Sequence, residues 1–406
     1  MKKVILLLLC ALLLSACGNN VAEPEVTGVP ASSTPAATAA PAPSPTESAK
    51  PEKTPAPEQI TLNVMLCRDV EEGFVQRFEE ENPGVRLELE VLASGEFDAA
   101  GKLPDLLVLD TFADYVKENL LLPAEAYCPE DLYADFLPAL LDQSAIDGTV
   151  WALPAMADEY VLYCNTALLK EAGAEVPETW AELETTAQTI LDHFNGAGEI
   201  YPWGVDLSTG AGEVTFACYA YNNGGGFFDA QGRWALNSDA NVEALEYVIS
   251  LVDRGFTNPA PSTQNLSDLQ EMFMSGRLAM LIAPRQFPAA WEAASSKSGD
   301  GVGFVTAPIP HAEGSAPAAV GTLDYLMAFR DDAAPDQDAR NEAIGSFLRF
   351  YYDSAETIEP LLLKFLPTAR PEWLLVKQGL IFAEQNALIG GEARAELDAL
   401  QAQLDG

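Results

Sequence analysis

A two-domain α/β fold is predicted by three observations. At 406 residues the chain exceeds what one hydrophobic core comfortably serves, so two domains are expected. From residue 59 onward, short runs of strand character alternate with amphipathic runs at helical spacing, the pattern of layered α/β architectures. The stretch 147–180, DGTVWALPAMADEYVLYCNTALLKEAGAEVPETW, joins a turn at Asp147 and Gly148, an apolar run broken by Pro154, the acidic residues Asp158 and Glu159, a strand-like 160–163 and a helix start. Acidic and aromatic side chains thus gather in the connection between two strands and a helix.

Composition narrows the function classes. With 22 basic against 61 acidic residues the net charge is −39, and no excess of Lys or Arg exists to neutralise phosphates, which excludes nucleic acid as a partner. There are 2 His, and no two of the body cysteines Cys67, Cys128, Cys164 and Cys218 lie close in sequence, which argues against a zinc site. Those cysteines are buried free thiols or a disulfide. No Gly-x-Ser-x-Gly, His-Glu-x-x-His or Asp-rich calcium loop occurs. No catalytic residue, cofactor or metal site is therefore assigned.

The N-terminus reads as an export signal. Lys2 and Lys3 precede an apolar run, 4–14, too short to span a bilayer comfortably, and Leu14-Ser15-Ala16-Cys17 follows. That ending resembles the lipobox of bacterial lipoproteins, which implies residues 1–17 as a signal peptide and Cys17 as a lipidated mature N-terminus holding the protein on the extracellular side of the cell membrane. Residues 18–58, rich in Pro, Ala, Thr and Ser, cannot bury enough apolar surface to order themselves. They form a tether whose reach, at about 3.1 Å per extended residue, is at most roughly 120 Å.

The body begins with a strand at 60–66 and a loop carrying Arg68 and Asp69. A helix over 71–81, with Phe74 and Phe78 on one face, leads to a strand at 85–92 and a brief helix over 97–102. Leu103-Pro104-Asp105 opens a buried strand ending at Asp110. Ligands of open α/β sheets gather beyond strand C-termini, so Asp110 and Thr111 stand where a ligand is met, or Asp110 caps a helix over 112–118. Asn165 caps the helix that Gly173 ends, and Pro177 and Thr179 start the next, 180–194. A strand over 200–207 holds Trp203; a loop enters a helix at Glu213 that runs to Tyr221, before a Gly-rich turn and a hairpin at 229–234. Helices follow at 239–254 and 268–274, strands at 281–283, 303–308 and 318–329, and a helix at 340–353. There, neighbouring Tyr351 and Tyr352 should point one to the core and one to the surface.

Several segments, in order, resemble the bacterial extracellular solute-binding proteins of ABC importers, in the sugar-type group that includes maltose-binding protein. They are Phe78 to Val85, the Pro104-Asp105 strand, Gly148 to Pro154, Tyr163-Cys164-Asn165 with Leu168, Pro177 to Trp180, Asn223-Gly224-Gly225 with Phe227, Phe273 to Met280, and Leu366-Pro367 with Arg370. The resemblance covers about 59–406. It implies a periplasmic-binding-protein-like fold of type II, with lobe 1 at 59–157 and 322–354 and lobe 2 at 158–321 and 355–406, each with a mostly parallel sheet, crossing near 157–160, 320–324 and 354–358. It also implies a small solute, most readily a carbohydrate, ABC permease subunits as partners, and a monomer. Where the family often supplies a stacking Trp, this chain has Arg285.

A sugar presents C–H faces to aromatic rings and hydroxyls to carboxylates. Trp151, Tyr160, Trp203, Tyr221 and Trp234 are candidate platforms, or core residues; Asp69, Asp110, Asp158, Glu159 and Glu213 are candidate acceptors, and Arg68, Thr111, Arg285 and Asp324 complete the set. Asp158 aligns with a ligand-contacting acid of the maltose-binding relative. Competing functions are a lipid-anchored exported enzyme acting on glycan, and a solute sensor feeding a receptor.

Overall fold

The computed structural model describes residues 7–8, 59–67, 70–92, 97, 102–194, 199–209, 212–288, 302–353, 356–357 and 363–406. Cys17, the signal segment apart from 7–8, the tether before residue 59, Arg68, Asp69, most of the helix expected over 97–102, and positions 354, 355 and 358 of the third crossing lie outside them.

After β1 (Leu7–Leu8), the body opens with β2 (Ile60–Leu66), α1 (Phe74–Glu81), β3 (Val85–Val91), β4 (Leu106–Leu109) and α2 (Ala113–Lys117). Helix α1 starts three residues later than its apolar pattern suggests, because Gly73 adopts φ 82° and holds the preceding backbone out of the helix. Short helices α3 (Glu130–Tyr133) and α4 (Pro138–Gln143) lead to the hairpin β5 (Ala145–Ile146) and β6 (Thr149–Val150). Its turn residues, Asp147 and Gly148, have φ of 52° and 76°, the paired positive values of a tight hairpin.

β7 (Ala152–Asn165) is one continuous 14-residue strand rather than an apolar run broken at Pro154. Pro154 has no N–H to donate. Its pairing with Tyr325 lies at a register shift, where Met156 faces Asp324 and Ala155 is skipped, and such a bulge accommodates a proline inside a sheet. At the strand's end Asn165 Oδ1 accepts from the amides of Ala167 and Leu168 at 3.0 and 3.1 Å, capping α5 (Thr166–Ala172), and Gly173 closes that helix at φ 69°.

The chain continues through α6 (Trp180–Phe194), β8 (Tyr201–Gly204), α7 (Gly212–Asn222), α8 (Asp239–Asp253), α9 (Leu266–Met274), β9 (Leu278–Pro284), β10 (Phe304–Ala307) and β11 (Ala319–Ala328). It ends with α10 (Gln337–Asp353), β12 (Glu356–Thr357), β13 (Leu363–Phe365), α11 (Trp373–Leu388) and α12 (Ala393–Leu404).

The main sheet runs β3-β2-β4-β11-β7-β9-β8, with β10 on β7 and β13 on β11. It is mixed rather than mostly parallel. β2 pairs in parallel with β3 and β4, and β8 with β9, but β11 is antiparallel to β4 and β7, and β7 to β9 and β10. The cause is the crossing itself, since the chain goes out along β7 and comes back along β11.

Successive strand residues feed opposite faces. Leu106 and Val108 join Phe74, Phe78, Phe347 and Leu348 in one core, while Leu107 and Leu109 join Phe112, Tyr325 and Phe329 in another. Further along β7, Leu162 and Cys164 enter a core with Trp203, Phe216, Phe227 and Leu380, and Val161 and Tyr163 one with Phe273 and Leu281. Each fully buried side chain of this kind contributes about 1.5–3 kcal/mol. Tyr351 and Tyr352 are both in the core, not one in and one out: Tyr351 stacks on Phe347, and Tyr352 meets Phe136 edge-on and donates its hydroxyl to Pro154 O at 3.0 Å. Helix α10 is covered on two sides, so adjacent positions both find partners. Cys67, Cys128, Cys164 and Cys218 are thiols that form no disulfide among the described residues.

Candidate functional site

The site is built where β7 and β11 run side by side between the two pairs of cores. Ala157, Asp158, Glu159 and Tyr160 face Leu323, Thr322, Gly321 and Val320 in antiparallel register. Alternation along β7 sends Asp158 and Tyr160 to one face and Glu159 to the other. Asp158 is 9% exposed, buried for a carboxylate. Glu159 is joined to Arg285: one carboxylate oxygen accepts from Nε at 2.7 Å and Nη2 at 2.6 Å, and Arg285 N donates to Glu159 O at 2.8 Å. Tyr163 fixes the same loop by donating its hydroxyl to Arg285 O at 2.8 Å.

The C-terminal ends of β2 and β4 meet β11 here. Cys67 Sγ lies 3.6 Å from Asp324 Oδ2. Beyond β4, Asp110 is exposed and caps nothing: α2 begins after Phe112, with no side-chain cap. Its charge acts on Tyr115 and Tyr325, and on Glu213, in the first turn of α7. Carboxylates belonging to different cores thus lie within electrostatic reach of each other. Thr111 Oγ1 donates to Thr368 O at 3.0 Å, and Thr368 Oγ1 to the Tyr325 hydroxyl at 3.4 Å, tying the start of α2 to the 366–370 loop.

Glu213 is 5% exposed, with Lys377 Nζ 2.9 Å from its Oε1. Burial pushes its carboxyl above the ordinary range, the ammonium pulls it back, and Asp110 adds to the rise. Behind it lie Asp206 and Glu384; burial pushes Glu384 well up, and Glu213 and Asp206 push it further. A cavity of about 30 Å³, the size of a water or two, is lined by Tyr160, Asp206, Val214, Thr215 and Tyr219. A far wider one, about 740 Å³, opens at the other end of the sheet beside Ile60, Asp105, Arg330 and Arg340. The N-terminal ends of β2 and β4 meet there with the C-terminal end of β11, whereas the paired crossing strands and the candidate carboxylates lie at the opposite ends of β2 and β4.

Of the aromatic candidates, Trp203 is corrected outright. At 1% exposure it sits in the core and donates its indole N–H to the Tyr219 hydroxyl at 2.7 Å, leaving no face for a solute. Tyr221 is tucked beneath Gly226, where an added Cβ would lie 2.6 Å from its ring, and packs edge-on against Phe227; burial pushes its hydroxyl up to about 12. Trp151 and Tyr160 are partly exposed, and Trp234 packs on Phe228 across the hairpin. Sequence reasoning missed Lys377, Asp206, Glu384, Thr368 and Cys67 as neighbours of the site. Among the described residues no cluster of His, Cys, Asp and Glu has the geometry to hold a metal ion.

The family described as bacterial extracellular solute-binding protein matches residues 69–358. The chain belongs to that family. A binding protein of Brucella abortus is 28% identical over 221 residues, 52% of this chain and 53% of its own, so the chain spans about half the length of such relatives. An Escherichia coli relative named as the ABC transporter periplasmic-binding protein YcjN is 24% identical over 350 residues, 81% of this chain and 73% of that one. The GacH receptor of Streptomyces glaucescens, solved unliganded and with acarbose, superposes with a TM-score of 0.68 at 19% identity, covering 85% of this chain and 98% of that one. That likeness establishes the two-lobed fold of the extracellular solute-binding family.

Proposed function

We propose that the protein is the substrate-binding lipoprotein of an ABC importer, capturing a small solute between its lobes and delivering it to a membrane permease. The lobes are 59–157 with 322–354 and 158–321 with 355–406. The observation that carries this reading is the convergence of carboxylates from separate cores, Asp110 beyond β4 and Glu213 in α7, beside the paired crossing strands. A carboxylate accepts strongly from hydroxyls, and several of them around a cleft suit a polyol or sugar. The acarbose bound by the GacH receptor supports the carbohydrate class. The E. coli relative's name supports an ABC permease as partner.

Asp110, Thr111, Asp158, Glu159, Tyr160, Trp151, Glu213, Arg285 and Asp324 remain the proposed contacts, joined by Arg68 and Asp69. The protein binds without turnover, as a monomer, anchored through lipid on Cys17; intact-mass measurement of the membrane fraction checks the anchor. A thermal-shift screen over maltotriose, acarbose, mannitol, amino acids and polyamines tests the function. A binder present at 100 times its dissociation constant stabilises the folded chain by about 2.7 kcal/mol. If only amino acids or polyamines shift the melting point, the carbohydrate assignment fails; if a sugar is hydrolysed, the binding assignment fails.

A further inference from the structure

Beneath the first turn of α7 three carboxyl groups meet, and they do not balance as three carboxylates. Glu384 on α11 is 1% exposed, Glu213 on α7 5%, and Asp206, after β8, 6%. Among the described residues Lys377 is the one cation beside them, and it meets Glu213 Oε1. Ser208 N serves Asp206 Oδ1 at 2.9 Å, and a backbone hydrogen bond from Phe216 serves Glu384. Among the described residues, Asp206 Oδ2, Glu213 Oε2 and Glu384 Oε2 are sealed from solvent and accept from no N–H or hydroxyl group. A sealed carboxylate without donor or cation is strongly disfavoured, whereas a carboxylic acid brings its own O–H donor. One proton on the deepest of the three removes a negative charge and supplies a missing hydrogen bond.

We propose that Glu384 is a neutral carboxylic acid whose one O–H donates to the Glu213 carboxylate, and that this bond positions the first turn of α7, with Glu213, at the solute site. Gly212 is part of the device: Glu384 Oε2 lies so close over it that any side chain there would collide with the oxygen. The groups facing Glu384 are Asp206, Glu213 and Gly212, with Lys377 about two turns earlier on its own helix and Asp110 acting on Glu213 from beyond β4. Glu384 is thus a positioning residue. The part played by Glu213 rests on the solute-site reading above; the proton on Glu384 does not.

The sign of the pH effect follows. A carboxyl that holds its proton more tightly in the folded than in the unfolded chain favours folding fully below the unfolded value, near 4.5, and loses that contribution as pH climbs from there to the folded value. Glu384→Gln keeps the shape and a donor but cannot ionise.

Infrared spectra of the protein at neutral pH, with and without the substitution, give the direct test. The parent is expected to show a protonated-carboxyl carbonyl band that Glu384→Gln lacks; its absence from the parent overturns the proposal whether or not the variant folds. Urea unfolding between about pH 5 and pH 9 should give a parent stability that falls more steeply with pH than the variant's. Superimposable curves overturn the proposal. Hydrogen exchange of the amides at 213–217 should quicken with rising pH, beyond its intrinsic rate, in the parent alone; equal loss of protection in both proteins overturns the positioning role. None of these readouts requires a solute, so a barren ligand screen sinks the functional reading and leaves this one standing.

Discussion

Replacing Asp105 by alanine should destabilise the first lobe severely while leaving solute affinity intact. Asp105 sits just before β4 with its side chain 13% exposed, and Arg340, 7% exposed, reaches it from α10 with Nε 2.7 Å from Oδ1. Oδ2 accepts from Asn63 N at 2.8 Å and Asn63 Nδ2 at 3.0 Å, so one carboxylate ties β2, β4 and α10 together. Among the described residues the Arg340 guanidinium has one further partner, Phe329 O at 3.0 Å, and its Nη1 is without an acceptor. Removing the carboxylate strands a buried guanidinium, which costs about 3–5 kcal/mol. At about 1.4 °C per kcal/mol for a body of about 350 residues, the melting temperature should fall by roughly 4–7 °C. Asp105→Asn separates charge from shape: it retains much of the geometry but not the charge, and belongs at the lower end of that range. Urea unfolding measures both. A loss below about 1 kcal/mol for Asp105→Ala would refute the reasoning, because it would mean that water or another group satisfies Arg340. Asp110 lies five residues on, roughly 16 Å along an extended strand, so solute binding should change by no more than about twofold.

Asp158→Ala is expected to weaken solute binding by about 10- to 150-fold through loss of a charge-assisted hydrogen bond, and calorimetry that finds both it and Glu159→Ala within about twofold of the parent removes them from the site. Trp203→Phe deletes the donor to Tyr219, so unfolding should show a loss of about 1–3 kcal/mol with affinity unchanged; a collapse in affinity would restore Trp203 as a stacking platform. Burial pushes the thiols of Cys128 and Cys164 up to about 12 and that of Cys218 higher still, so a thiolate-directed reagent near neutral pH should label Cys67 first of the four body thiols, as mass mapping would reveal.

What was legible in the sequence was local. The Asn165 cap, the Gly173 stop and the Asp147-Gly148 turn follow from side-chain chemistry within a few residues, and the structure bears them out, placing the turn in a hairpin. Trp203 and Tyr351 show the limit of such signals. An aromatic in a strand, or beside another on a helix, has the same sequence signature whether one or both of its sides are covered, and the packing of α7 and α10 decided the outcome. The mixed sheet escaped notice because strand direction is set by the order of crossings, not by strand composition. Lys377 and Glu384 lie seven residues apart on a helix that reads as ordinary, and only the fold brings them to Asp206 and Glu213, over 160 positions earlier.

The central claim, capture of a solute between two closing lobes, is tested most directly by an interlobe distance. Spin labels on cysteines introduced at exposed Glu130 and Glu246, one in each proposed lobe, report that distance with and without the solute that the thermal-shift screen selects. A ligand shifts a conformational equilibrium only by binding one state better, so the account predicts a shorter, narrower distance distribution at saturating solute. An unchanged distribution, with binding confirmed in the same labelled sample, would contradict it.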